Sequence, residues 1–159
     1  MKRREFIGYT TGVLALAAVP AALQAKNYRK EMPDVWKVMN DTASKGASTT
    51  GIDAAIKKLF GEDATTGDQV HLKAPEIAEN GAVVPIKMGA DKATRVALFQ
   101  SANPEALVIV FDVPKGAIPE YSVRIKMQQT GTVTAVAEID GKLYRADKVV
   151  KVTVGGCGG

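Results

Sequence analysis

The chain has 159 residues, 46% of them hydrophobic and 24% charged, enough for one domain with a modest core and too few for a second large one. The formal charge of +4 drops once the N-terminus is set aside, because removing Lys2, Arg3, Arg4 and Glu5 leaves 18 basic against 16 acidic side chains, or +2. With no Lys/Arg stripe carrying interleaved aromatics, nucleic acid is not expected as a partner.

Residues 1–25 read as a targeting segment rather than as part of the fold. Lys2, Arg3 and Arg4 form a basic start, Thr10 to Ala22 is uncharged and mildly apolar, and small residues surround a cut after Ala22 or Ala25. The apolar stretch would make a helix of roughly 20 Å, short of the bilayer's hydrocarbon core, so no membrane anchor is expected in the mature form. Arg3 and Arg4 followed by Phe6 and Ile7 match the twin-arginine type of export signal, although Lys2 stands where that pattern prefers Ser or Thr. The mature protein is expected outside the cytoplasm.

Residues 26–66 form the helical segment of this reading. Val35, Val38 and Met39 recur at helical spacing, as do Ile52, Ile56, Leu59 and Phe60, which predicts two short helices separated by a loop from Ser44 to Gly51. Thr50 and Asp53 resemble a capping box at the start of the second helix, and Gly61 follows its last apolar residue. Trp36, the single tryptophan, is expected to pack or to sit at an interface rather than to hold a ligand.

Residues 67–154 change character, with short runs rich in Val, Ile and Thr broken every eight to twelve residues by turn formers. Antiparallel strands are predicted at 69–73, 83–87, 95–99, 107–112, 121–127, 132–139 and 143–154. Turns are placed at Asn80-Gly81, Asn103-Pro104, Pro114-Lys115-Gly116, Gly131 and Asp140-Gly141. The predicted fold class is mainly β, a sandwich preceded by short helices. His71 is expected on a strand as a surface or partly buried side chain, Met88 and Met127 as gap fillers, and Asp91, Lys92 and Arg95 as a solvated face.

After Val154, where Val150, Val152 and Val154 share one strand face, the sequence becomes Gly155-Gly156-Cys157-Gly158-Gly159. Four residues without side chains contribute no burial and lose the most backbone entropy on ordering, so a thin, mobile arm at 155–159 is expected to present the Cys157 thiol. No second cysteine exists for an internal disulfide or a Cys-x-x-Cys pair, and one cysteine with one histidine does not make a zinc site. Cys157 stands third from the end, whereas a prenylation box needs it fourth. No base lies within the arm. At the ordinary cysteine pKa near 8.5, roughly 3% is thiolate at pH 7, so fast chemistry must come from enzymes that bind the arm. No metal and no catalytic acid or base is assigned to this chain, which is expected to be a carrier and not an enzyme.

Together the terminal Gly-Gly-Cys-Gly-Gly, the stretch from Ala74 to Pro85, the run Arg124 to Met127 and the run Gly141 to Val154 resemble the SoxY family of sulfur carriers. The resemblance is weakest from Lys26 to Phe60. It implies an immunoglobulin-like sandwich, a heterodimer with a SoxZ-like companion subunit and periplasmic oxidation of thiosulfate. It implies Cys157 as the covalent sulfur attachment point. It also implies partner enzymes that hold the haem and metal: a haem enzyme that conjugates thiosulfate, a hydrolase that releases sulfate, and a sulfur dehydrogenase. Two other readings stand beside it. One is a noncovalent immunoglobulin-like binding module. The other is a C-terminal thiocarboxylate donor, which would need ATP and would survive loss of Cys157.

Overall fold

The computed structural model of the protein describes residues 26–44 and 46–153. The export segment with Arg3, Arg4 and Phe6, and the arm with Gly155, Gly156, Cys157, Gly158 and Gly159, lie outside the described residues, as does Val154. The described chain is mainly β. Its elements in order are α1 (Tyr28–Glu31), a 3₁₀ turn (Thr42–Ser44), α2 (Thr50–Phe60), β1 (Thr65–Thr66), β2 (His71–Lys73), β3 (Ile77–Ala78), β4 (Val84–Gly89), β5 (Arg95–Gln100), β6 (Leu107–Asp112), β7 (Glu120–Ile125), β8 (Gly131–Ile139) and β9 (Lys142–Val152).

The strands form two sheets. The larger runs β1-β9-β8-β5-β6, with β3 also paired to β9, and the smaller runs β2-β4-β7. Alternation decides how they meet. Val84, Ile86 and Met88 of β4 are buried while Pro85 and Lys87 are exposed, so one face of the small sheet packs on Val96, Leu98, Val133, Ala135, Ala137 and Val150 of the large one. The opposite face of the large sheet presents Ala97, Phe99, Leu107 and Val136 to Ile52, Ala55, Ile56 and Leu59 of α2 and to Tyr28 and Val35. Strand β5 is therefore covered on both faces, which is why Arg95–Gln100 reads as an almost unbroken apolar run.

All seven predicted strands are present. The two additional ones, β1 and β3, are two residues long and pair parallel with β9, against the antiparallel expectation. Asp140 and Gly141, with φ of 50° and 72°, make the tight turn between β8 and β9, and Gly116 takes φ 84° in the turn after Pro114. Gly131 has a different role from the turn foreseen for it. It is the first residue of β8, and a β-carbon there would stand 2.8 Å from the Ala102 nitrogen, so the glycine permits a close approach of backbones.

The first predicted helix is not where the spacing put it. Residues 33–37 are turns, and the α-helical turn of this stretch is α1, capped by Asn27 and ended at Met32. Pro33 explains this: the residue before a proline is pushed from the α region, and Met32 has φ −131° and ψ 58°. The N-cap of helix α2 is Thr49 rather than Thr50, and it makes no side-chain capping bond; Asp53 instead accepts from Arg145 Nη1 at 2.6 Å. Its end is as expected, with Gly61 left-handed at φ 88° and its N–H donating to the Lys57 carbonyl at 2.8 Å. No described helix is long and apolar enough to cross a membrane.

Candidate functional site

The last described strand is the platform from which the cysteine-bearing segment leaves, and it is held on every side. Strand β9 pairs with β8 from Lys142↔Ile139 to Val150↔Gly131. On its other edge it pairs with β1 at Tyr144 and Arg145 and with β3 at Lys151 and Val152. The anchoring continues to its end: the Lys151 N–H donates to Glu76 O at 2.9 Å, the Val152 N–H to Thr130 Oγ1 at 3.0 Å, and the Thr153 N–H to Ala78 O at 3.1 Å. Gly81 makes room for it, since a β-carbon there would lie 2.8 Å from Val152 Cγ1 and against the Met127 carbonyl. Val150 is fully buried, Val152 half-buried and Lys151 exposed, the alternation expected of the strand.

Thr130, Gly81 and the two residues of β3 that fasten this end were not foreseen as part of the site. Asn80-Gly81 forms the turn its residues predict, with the Ala82 N–H donating to Asn80 Oδ1 at 2.9 Å. Its second role depends on a strand some seventy residues later and leaves no local mark. Ile77, paired with Lys151 and 57% exposed, stands beside the end of β9 as a large apolar side chain open to solvent. Cys157 follows Thr153 by four residues, so an extended chain carries its Cα no farther than about 14 Å from that anchor.

The other singled-out side chains lie elsewhere. His71 is exposed on β2, at the far edge of the small sheet. Met88 and Met127 are each 1% exposed and fill the core between the sheets. Trp36 lies in the turn after Pro33 with the Arg29 guanidinium 4.1 Å from its ring centroid, a packed residue at the surface of the N-terminal layer. Asp91 and Lys92 are exposed, but Arg95 departs from the solvated face expected of it. Its Nε donates to Asp112 at 3.1 Å, and its guanidinium faces the rings of Tyr28 and Phe60 at 5.7 and 5.6 Å. Among the described residues no group of three or more His, Cys, Asp or Glu side chains is placed to hold a metal.

The family model for the sulfur oxidation protein SoxY matches residues 56–157. The match starts within α2, takes in every strand and reaches the cysteine. No curated protein matches the chain. Among solved structures, the sulfur carrier protein SoxY from Chlorobium limicola f. thiosulfatophilum is 40% identical with a TM-score of 0.59, covering 70% of this chain and 99% of its own. A candidate superoxide reductase from Thermotoga maritima is 14% identical with a TM-score of 0.50, covering 57% of this chain and 94% of its own, a likeness of fold alone. On the family match and the 40% identity, the chain belongs to the SoxY family of sulfur-oxidation proteins.

Proposed function

We propose that the protein is a covalent sulfur carrier in thiosulfate oxidation, with the Cys157 thiol as the attachment point and no chemistry of its own beyond that thiol. The observation that carries this reading is the fastening of the chain through β9 to Thr153, two positions before Gly155-Gly156-Cys157-Gly158-Gly159, in a chain of the SoxY family. A rigid base joined to glycines on both sides of one thiol suits presentation to several active sites in turn.

In this reading the thiolate of Cys157 and the outer sulfur of thiosulfate form an S–S bond, and the two electrons released pass to a haem enzyme that docks the arm. A hydrolase then directs water onto the sulfonate sulfur, breaking its bond to the neighbouring sulfane sulfur, so that sulfate and two protons leave and the persulfide anion remains on Cys157. A sulfur dehydrogenase is a further partner for oxidation of that persulfide. The haem and metal belong to those enzymes, a SoxZ-like companion completes the carrier, and the work takes place in the periplasm after twin-arginine export.

Intact-mass measurement of protein from thiosulfate-oxidising cells, with and without reductant and beside a Cys157→Ser variant, tests it. The expected result is a set of sulfur adducts confined to Cys157, with the persulfide and disulfide-linked forms removed by reductant, and loss of thiosulfate oxidation in the variant. An unmodified chain during turnover, with undiminished oxidation by Cys157→Ser, overturns it in favour of a noncovalent binding module.

A further inference from the structure

Strand β6 ends the large sheet, bonded to β5 on one side only. Just before it, the edge is closed: Ala106 N–H donates to Val38 O at 3.1 Å, Asn40 N–H to Pro104 O at 2.7 Å, and Met39 bridges Glu105. From Leu107 onward no described residue supplies a backbone partner to the outer side of the strand. Its sequence there, Leu107-Val108-Ile109-Val110-Phe111, has no charge or proline, and Val108 through Phe111 are half-buried. The other edges are protected by ordinary means. Strands β1 and β3 are two residues long, β2 carries His71 and Lys73, and β7 alternates its half-buried residues with Glu120, Ser122 and Arg124. An apolar edge as long as β6 is what natural sheets avoid leaving open.

A trough runs along this edge. Its larger part, about 450 Å³, lies between Leu107 and Val108 on one side and Arg124, Ile125 and Lys126 on the other. A smaller part, about 340 Å³, lies between Ile109 and Val110 and the segment holding Lys26 and Trp36. Arg29 lines both. Lys26 is held 3.7 Å from Glu31, while no carboxylate among the described residues forms an ion pair with Arg29, Arg124 or Lys126. Glu105 is the one acid lining the trough among the described residues.

We propose that the outer edge of β6 is the docking edge for an extended, acidic segment of a different protein chain, which adds a strand beside Leu107–Phe111 and sets its carboxylates against Arg29, Arg124 and Lys126. The free backbone edge supplies the hydrogen bonds, the apolar floor takes alternate side chains, and the cations choose the partner. A second copy of this chain is a poor occupant, since self-pairing about this edge brings the same cations together across the interface. The proposal deepens the companion-subunit reading above by naming its surface, and it does not depend on sulfur chemistry at Cys157.

Trp36 lines the trough and is the only tryptophan, so its emission reports docking directly. The probe is a synthetic peptide alternating glutamate and valine, titrated into the full chain and into Cys157→Ser at low salt, with a lysine-valine peptide as its counterpart. The expected result is a saturable change in Trp36 emission with the acidic peptide in both proteins, weakened by salt. Affinity falls roughly tenfold or more in Arg29→Glu/Arg124→Glu and is unchanged in Lys73→Glu on the far edge. The three substituted residues are exposed, so the variants keep the fold.

No saturable change, or an equal one with the lysine peptide, overturns the proposal. So does a dimer of the protein alone, seen by sedimentation, that Val110→Lys dissolves, which would give the edge to a second copy. A failure of docking leaves the sulfur adducts untouched, and a failure of the adducts leaves the docking titration untouched, so the two readings fail separately.

Discussion

At the scale of single residues, the clearest commitment is Tyr28, three residues past the expected end of the export segment. Its ring is buried and its hydroxyl donates to Asp112 at 2.5 Å, while Arg95 holds the same carboxylate oxygen from the other side. Burial first, then the hydrogen bond to Asp112, raises the Tyr28 pKa well above the ordinary tyrosine value of about 10. A group whose pKa is raised on folding contributes stability that is complete below its unfolded pKa and is lost as the pH climbs above it, because the unfolded chain ionises first. Tyr28→Phe should therefore cost about 1–2 kcal/mol at pH 7, where the hydroxyl is the donor to a carboxylate. The gap between the two proteins should close as the pH passes about 10. Urea denaturation of both at neutral and alkaline pH checks this, and a gap that stays constant above pH 10 would remove the hydroxyl from the account.

At the scale of elements, one side chain joins α2 to the sheet that carries the cysteine segment. Arg145 of β9 is 14% exposed; its Nη1 donates to Asp53 of α2 and its Nη2 to Asp147, both at 2.6 Å, and Thr134 Oγ1 donates to Asp147 as well. Burial alone would lower the Arg145 pKa, but Asp147 and Asp53 together leave it raised, so the guanidinium stays charged. Arg145→Met keeps the stem and strands the two carboxylates, which should cost about 1–3 kcal/mol. Amide exchange in residues 50–60 should quicken more than in β8, as denaturation with exchange by mass would show.

The same pair shows what the sequence could and could not yield. Ile52, Ile56, Leu59 and the closing Gly61 announce α2 by their own spacing, and the runs from β4 to β9 announce strands by composition. The partnership of Asp53 with a residue 92 positions away has no local signature, and the local reading gave Asp53 to a capping box instead. Val35, Val38 and Met39 had helical spacing without helical neighbours, for Pro33 sets that stretch into turns. Strands β1 and β3 are two residues long, too short for any period, and exist only because β9 has an edge to offer. Gly155-Gly156-Cys157-Gly158-Gly159 is readable because its chemistry is in the residues themselves, whereas the trough along β6 depends on which strand ends the sheet.

At the scale of the whole molecule, β5 divides the protein into two cores, and adjacent residues belong to different ones. Leu98 is fully buried between the sheets, and Phe99, fully buried on the opposite face, packs with Ile52, Ile56 and Val136 under the N-terminal layer. That layer is also tied by polar atoms, with Asn40 Nδ2 donating to the Gln100 carbonyl at 2.7 Å and buried Ser101 Oγ donating to Gly46 O at 2.6 Å. The family match begins at residue 56, so most of this layer lies outside the part of the chain the family model covers. If the layer were an appendage, Phe99→Ala would release it and leave the sandwich standing. The shared strand and the bonds from Asn40, Ser101 and Arg145 argue instead for one cooperative unit. Leu98→Ala should then cost about 2–5 kcal/mol and Phe99→Ala about 3–5 kcal/mol. In each variant Trp36 emission, which reports the layer, and the far-ultraviolet signal of the strands should fall in the same transition. Separate transitions in Phe99→Ala, with Trp36 exposed first, would make the layer a detachable cover and leave the sheets alone as the scaffold behind Cys157.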